Sequence, residues 1–431
     1  MHLNASFSTT SVRTAQATNF GSDLAADPHA DLPDDLNGCA LIYFGNDWNA
    51  ENRTSSHHIA RRLARTITLL YVDSPGMRAP SASGRDFKKI LRKLRQAVAL
   101  PVKIDDHFWR CTVPQLPFRT IPGVHWFNER FARWALARAI RHLRFERYLL
   151  WFALPHPGFL AGRLGELAVI YYCIDDYAAH PGVDAASIQR CDDDLTRKAD
   201  RVFVAPPALL AHKQRLNDHV TFSPHGVDAE LFARASDPAT PAPTSLASIT
   251  HPVVGFFGSV ADWVDISLIA KLARERPAYT VLMVGHVSTD VSELEALPNV
   301  RLVGAQSYES LPNWASVFDV AMIPYRRNRQ VMNSNPLKLR EYLATGKPVV
   351  SVSTPEVERF APFVLIANNA DEFVQLVDRA VLERDPAASR RRMQAVADSS
   401  WESRVAVTLA TVRADIRDRL ASVPGGPHVS D

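Results

Sequence analysis

The sequence predicts an α/β protein of two doubly wound domains, each a mostly parallel sheet with helices on both faces. Three observations carry this reading. The chain has 431 residues, more than one hydrophobic core organises. Short apolar runs alternate with helical patterns along most of its length, the pattern of parallel strands buried on both faces. A stretch rich in Pro, Ala, Ser and Thr at 236–250 interrupts the alternation and reads as an interdomain linker. With 46% apolar and 22% charged residues, the composition is that of an ordinary globular chain rather than a fibrous one.

Taken in order, residues 1–36 are polar, without apolar periodicity, and read as a disordered tail. The first domain, 37–235, opens with the run Cys39–Gly45, which ends in glycine as a buried parallel strand does at a βα turn. Runs of the same kind follow at 67–72, 148–153, 169–174, 201–205 and 220–223. The second domain, 251–400, has its runs at 252–258, 279–285, 300–304, 320–324, 348–352 and 364–367. Residues 387–397 and 401–420 carry a helical stripe with no strand after them, so the segment 401–431 is expected to cross back over a domain face.

The four cysteines form no Cys-x-x-Cys pair, which excludes a zinc knuckle and a disulfide framework. The N-terminus lacks a basic segment followed by an apolar core, and no apolar run approaches the ~20 residues of a membrane span. A cytoplasmic protein is expected. Its net charge is only +3, yet Arg85–Arg147 holds fifteen Lys or Arg against five Asp or Glu. Phe87, Ile90, Leu91, Leu94 and Val98, then Phe127, Phe131, Trp134 and Ile140, fall at helical spacing among these bases. Segment 85–147 therefore reads as a basic amphipathic surface for the inner-membrane face, making the protein peripheral, with a merely solvated basic face as the alternative. No nucleic-acid motif accompanies the charge, so nucleic acid is not an expected partner.

Ligands of open α/β sheets bind outside the carboxyl ends of the strands, so the residues following each strand are the candidates. In the second domain these are Gly258 and Ser259, Gly285 and His286, Gly304–Gln306, Pro324–Arg326, and the segment Asn333–Glu341. Pro336 suits the first position of a helix, whose free N–H groups at Leu337 and Lys338 make an anion site. The Lys338 ammonium adds the charge a diphosphate needs, and Glu341, one turn on, suits two vicinal ribose hydroxyls. In the first domain, the run 169–174 leads directly into Asp175 and Asp176. A carboxylate there suits a general base, with Asp176 preferred; a turn-and-cap pair is the alternative. His225 is a candidate for phosphate or sugar contact. In the loop after the first strand, Trp48 offers a stacking face to a sugar, and Arg53 or His57 a phosphate contact. Asp192–Asp194 imitates an Asp-x-Asp metal pattern but lies on a helix and is read as solvated acids, so no metal is expected.

From about Ala40 to Leu420 the chain resembles the GT-B-fold glycosyltransferases, close to the retaining group called group 1 or family 4. The resemblance rests on Pro224-His-Gly-Val-Asp228, on Val254-Gly-Phe-Phe-Gly258, on Gly304 followed by Tyr308, and most on Asn335-Pro-Leu-Lys-Leu-Arg-Glu-Tyr-Leu-Ala-Thr-Gly-Lys-Pro-Val-Val350. It implies two Rossmann-like domains facing across a cleft, with the acceptor on the first and a nucleotide-diphosphate sugar on the second. It implies Leu337 and Lys338 at the diphosphate and Glu341 at the ribose, with Gly258, Ser259, Gly285, His286, Tyr308 and Asn335 around the donor. The family's second Glu, eight positions before Glu341, is Asn333 here, and its basic pair after the glycine loop is replaced by Ser-Val-Ala-Asp-Trp-Val-Asp265. These departures leave retention or inversion open and fit divergent branches that build cell-surface and exopolysaccharides. The implied activity is metal-independent hexosyl transfer, without cofactor, to a lipid-linked or glycan acceptor. A nucleotide-sugar epimerase of the same fold, or a non-catalytic scaffold, are the alternatives.

Overall fold

The computed structural model describes residue 36 and residues 38–50, 53–73, 100–113 and 123–421. The first sheet contains β1 (Ala40–Gly45), β2 (Leu69–Asp73), β3 (Val102–Asp105), β4 (Phe108–Thr112), β5 (Tyr148–Phe152), β6 (Val169–Cys173), β7 (Arg201–Val204) and β8 (Val220–Phe222). Its order is β3-β4-β2-β1-β5-β6-β7-β8, parallel throughout except that β3 runs antiparallel to β4. The second sheet contains β9 (Val253–Phe257), β10 (Thr280–Val284), β11 (Val300–Gly304), β12 (Val320–Ile323), β13 (Val349–Val352) and β14 (Leu365–Ala367). Its order is β11-β10-β9-β12-β13-β14, with every pairing parallel. In each sheet the chain winds first to one side and then the other, about β1 in the first and β9 in the second. That reversal leaves a crevice at the strands' carboxyl ends.

The main helices are α1 (Ser55–Leu63), α2 (Val124–Leu143), α3 (Ala185–Lys198), α4 (Ile266–Glu275), α5 (Leu337–Ala344), α6 (Ala370–Val381), α7 (Pro386–Ala397) and α8 (Trp401–Ala421). Period-two alternation sends Leu41, Tyr43, Leu69, Tyr71 and Trp151 to one face of the first sheet and Ile42, Phe44, Leu70 and Phe152 to the other. The second of these faces is closed by Ala132, Leu136, Ala139 and Ile140 of α2. The first is closed in part by Trp401, Val405, Leu409, Val412 and Ile416, so α8 does return across the first domain. Each such apolar side chain contributes about 1.5–3 kcal/mol by its burial, which fastens the end of the chain to its beginning.

Two expectations are corrected. Residues 102–112 form the β3–β4 hairpin, which extends the first sheet at its edge. Val102–Asp105 is exposed at every position, so it carries no apolar signal to read. The change of domain also precedes the 236–250 stretch: Val227, Phe232, Ala235 and Leu246 already belong to the core of the second domain. Of the tail expected at 1–36, Leu36 is described and is buried in the first-domain core; residues 1–35, the basic residues of 85–99 and residues 114–122 lie outside the described residues.

Candidate functional site

The site is built where β9 and β10 end. Gly258 has φ +129° and Gly285 φ +156°, and a side-chain carbon on Gly285 would overlap the Gly258 carbonyl. Only glycine allows these two turns to lie against each other. A side-chain carbon on Gly258 would instead overlap the Lys338 side chain, so the Lys338 stem lies directly over this turn. Ser259 continues the turn and the Val260 amide donates to the His286 carbonyl at 2.8 Å, which joins the two predicted loops; His286 itself is exposed.

Lys338 comes from the first turn of α5. Pro336 is the N-cap, with extended backbone (φ −69°, ψ 121°), so the first helical residue is Leu337 and not Pro336 as expected. The Leu337 and Lys338 amides belong to the first turn, where an α-helix offers N–H groups without an intrahelical acceptor. The Leu337 side chain packs on the core of the first domain, which sets this helix end into the cleft. Asn335, expected at the donor, is buried and used within the protein. Its amide nitrogen donates to the Ala205 carbonyl (2.8 Å), and its oxygen accepts from Arg340 (2.7 Å), which is itself paired with the buried Glu356 (2.5 Å). Asn335 thus ties the α5 N-terminus to β7 of the other domain.

Glu341 is buried one turn further along, and its pKa is pushed up to about 7. Burial is the main cause; Lys338 opposes it, the Asp228 carboxylate adds to it, and the Tyr308 hydroxyl favours the ionised form. Tyr308, just after β11, is shared between domains: its ring lies 4.9 Å from the His58 ring of α1 and 5.5 Å from Phe232. The Asp228 carboxylate pairs with Arg62, which also reaches Glu402 (3.0 Å), so α1, α8 and the crossover segment meet at one charged cluster. Asp228 closes the Pro224–Asp228 motif, whereas no motif of the sequence marks Arg62.

Across the cleft, Asp176 is only 6% exposed and points at the second domain. It accepts hydrogen bonds from Arg329 Nε (3.0 Å) and from the Asn333 amide (2.8 Å). The structure therefore brings together Asp176 and Asn333, both expected at the site, and adds Arg329. Asp175 does not share this role. It takes the Asp176 backbone N–H (2.9 Å) and His180 (2.8 Å), the turn pattern that was the alternative reading.

Several first-domain candidates sit differently from expectation. Trp48 makes edge contacts with Phe108 and Tyr71 at 4.7 and 4.9 Å, the Arg61 guanidinium lies 4.7 Å over its ring, and the half-buried indole lines the interdomain cavity. His57 uses Nδ1 on the Thr54 amide (3.1 Å) and Nε2 at the Asp47 carbonyl (3.0 Å), holding the entry to α1 instead of a phosphate. Arg53 reaches the second domain, pairing with Glu309 at 2.6 Å and lying 5.4 Å above Tyr308. Arg53, His58, Arg61, Tyr308 and Glu309 line an interdomain cavity of about 400 Å³. His225 is buried beside Trp401, and its pKa is lowered to about 3, chiefly by burial and then by Arg340, so it stays neutral. The aspartates of α3 face separate partners: Asp192 takes the buried Lys213 (2.5 Å), Asp193 His212 (2.9 Å) and Asp194 Lys198 (2.6 Å).

On the far side of the first sheet, α2 exposes Trp126 (62%), Phe127 (42%) and Trp134 (47%). Arg130, Arg133 and Arg163 surround Trp134 in a groove of about 360 Å³. No described helix is long and apolar enough to cross a membrane.

Residues 251–382 match the family described as glycosyl transferases group 1. The chain is 29% identical over 246 residues to the putative teichuronic acid biosynthesis glycosyltransferase TuaH of Bacillus subtilis, a match covering 51% of this chain and 59% of that relative. The aligned part thus spans under two thirds of the curated relative. Among solved structures, sucrose-phosphate synthase from Thermosynechococcus elongatus superposes with a TM-score of 0.63 at 16% identity, over 89% of this chain and all of that one. Anabaena Alr3699/HepE, solved in complex with UDP and glucose, gives a TM-score of 0.55 at 13% identity over 89% of this chain and all of its own. Its second domain is thus similar to the group 1 glycosyltransferases, and the fold that spans both domains is of GT-B architecture.

Proposed function

We propose that the protein transfers a sugar, in the manner of a hexosyltransferase, from a nucleoside-diphosphate donor to an acceptor held by the first domain. The observation that carries this reading is the joint arrangement of the α5 N-terminus, Lys338 over the Gly258 turn, and buried Glu341 one helical turn beyond. The helix end and the ammonium suit a diphosphate, and a carboxylate at that distance suits the adjoining ribose diol. Both stabilise the charge that develops on the departing nucleoside diphosphate, so the transfer needs neither metal nor cofactor. The acceptor hydroxyl attacks the anomeric carbon as the bond to the diphosphate breaks, and Asp176 is the carboxylate we assign to receive its proton. Because Arg329 and Asn333 engage both its oxygens, one of these contacts has to be released first.

The acceptor we favour is lipid-linked or a growing glycan in cell-surface or exopolysaccharide synthesis, in keeping with the teichuronic acid role named for the Bacillus relative. The exposed aromatics and arginines of α2 suit reversible attachment to an anionic membrane at its cytoplasmic face, where each engaged base contributes about 1 kcal/mol. A thermal-shift screen of nucleoside-diphosphate sugars tests the donor assignment. A ligand at one hundred times its Kd stabilises by ~2.7 kcal/mol, so at least one should raise the midpoint by several degrees; a flat response to all would reject it.

A further inference from the structure

Between Asp319 and Glu341 the chain has five basic residues and no acidic one, and three of the five, Arg326, Arg327 and Arg329, lie three to six positions after the end of β12. Their backbone is held. Tyr325 pairs with Val264, the Arg326 amide donates to the Trp263 carbonyl (2.8 Å), and the Asn328 side chain caps the turn 329–332 through the Val331 amide (2.9 Å). A fixed backbone therefore carries three guanidinium groups to the carboxyl end of a central strand, at the mouth of the cleft.

Only one carboxylate answers them. Arg329 takes Asp176, while Arg326 and Arg327 are exposed and meet no carboxylate among the described residues. The facing helix α3 does not supply the missing charge. Its Gln189 contributes a neutral oxygen at 3.3 Å from Arg329, Arg190 is itself basic, and Asp192 and Asp193 are taken by Lys213 and His212. Asp175 is held by His180. The two members of the one pair are also unequal: the Arg329 side chain is 60% exposed and that of Asp176 6%. Arg329 can turn to a solvent-borne anion without leaving a buried site, whereas Asp176 cannot follow it.

We propose that the Arg326–Arg329 loop receives an oxyanion carried by the acceptor, a carboxylate or a phosphate ester, and that Arg329 exchanges Asp176 for it. Guanidinium groups bind both anions through paired N–H donors, so the receptor is charge-selective and geometry-selective at once. The exchange uncovers Asp176 only when an anionic acceptor is seated, which couples acceptor recognition to the availability of the carboxylate. The inference rests on the sugar-transfer reading and names the acceptor class for that site.

The test is titration of D-glucuronate, glucose 6-phosphate and D-glucose into the full chain saturated with a nucleoside diphosphate. The expected result is at least tenfold tighter binding of one or both charged sugars than of glucose; the carboxylate and phosphate arms identify the anion. Arg326→Gln/Arg327→Gln should abolish the preference with nucleoside-diphosphate affinity and thermal midpoint unchanged. Asp176→Asn, which removes the competitor for Arg329, should tighten the charged sugar several-fold, an effect that a merely structural ion pair does not produce. Equal binding of charged and neutral sugars, retention of the preference in the double variant, or weaker binding in Asp176→Asn would each overturn the proposal. Failure of the parent chain to bind any nucleoside diphosphate would instead sink the sugar-transfer reading, independently of the sugar titrations.

Discussion

The Asp176 carboxylate of the first domain accepts a 2.8 Å hydrogen bond from the Asn333 amide of the second, across 157 positions of sequence. Arg329 completes the clasp at 3.0 Å. A carboxylate at position 333 would face Asp176 as a like charge, whereas an amide donates to it. The carboxyl group at this point of the cleft is thus supplied by the first domain.

This contact predicts a charge-swap rescue. Asn333→Asp alone sets two carboxylates against each other and should lower stability by about 1–2 kcal/mol, measured by chemical denaturation. Asp176→Asn/Asn333→Asp restores the carboxylate–amide pair with its members exchanged and should recover most of that loss. Additive losses in the double variant would show that the two side chains do not interact.

Gly258→Ala should act on donor affinity through Lys338. The added methyl meets both a φ of +129° and the lysine stem, so the turn or the side chain has to move. Nucleoside-diphosphate affinity should fall at least tenfold, and Lys338→Met should reproduce the fall with little change in thermal midpoint. If Lys338→Met binds as the parent does, the ammonium is not at the diphosphate.

The pH dependence of stability follows from Glu341. Its pKa rises from the usual carboxylate value to about 7 on folding, so the folded state holds this proton more tightly. The stability it lends is fully present below about pH 4.5 and is lost as pH rises through 7, a change on the order of 3 kcal/mol. Glu341→Gln imitates the protonated form and should make the ligand-free chain more stable than the parent at pH 8 and equal to it at pH 4.5. Hydrogen bonds from a ribose diol favour the ionised form, so nucleotide binding near pH 6.5 should release a proton, seen as a buffer-dependent heat that Glu341→Gln lacks.

Membrane attachment through α2 predicts flotation with vesicles containing anionic phospholipid and not with neutral ones. Trp126→Ala/Trp134→Ala should reduce the bound fraction several-fold, because both rings are exposed and contribute little to the core. Equal flotation of parent and variant would remove α2 from the interaction.

What was legible in the sequence follows from what is local. The apolar runs that became β1 and β9 are buried at every position, so hydrophobicity alone marked them. The hairpin β3–β4 was not legible because β3 is exposed throughout and is held by pairing with β4 alone. Lys338 and Glu341 could be placed side by side because one helix end carries both. The packing of Trp48 was not legible, because its partners, Phe108 of β4 and Arg61 of α1, lie elsewhere in the chain. Arg329 was missed for the same reason: nothing near it in sequence announces that it will meet Asp176.

Calorimetric titration of uridine, guanosine, adenosine, cytidine and thymidine diphosphates into the parent chain and Glu341→Ala tests the central claim most directly. The account predicts that at least one binds the parent and that Glu341→Ala weakens that binding tenfold or more. No binding by any of them, or the same affinity in both proteins, would contradict it.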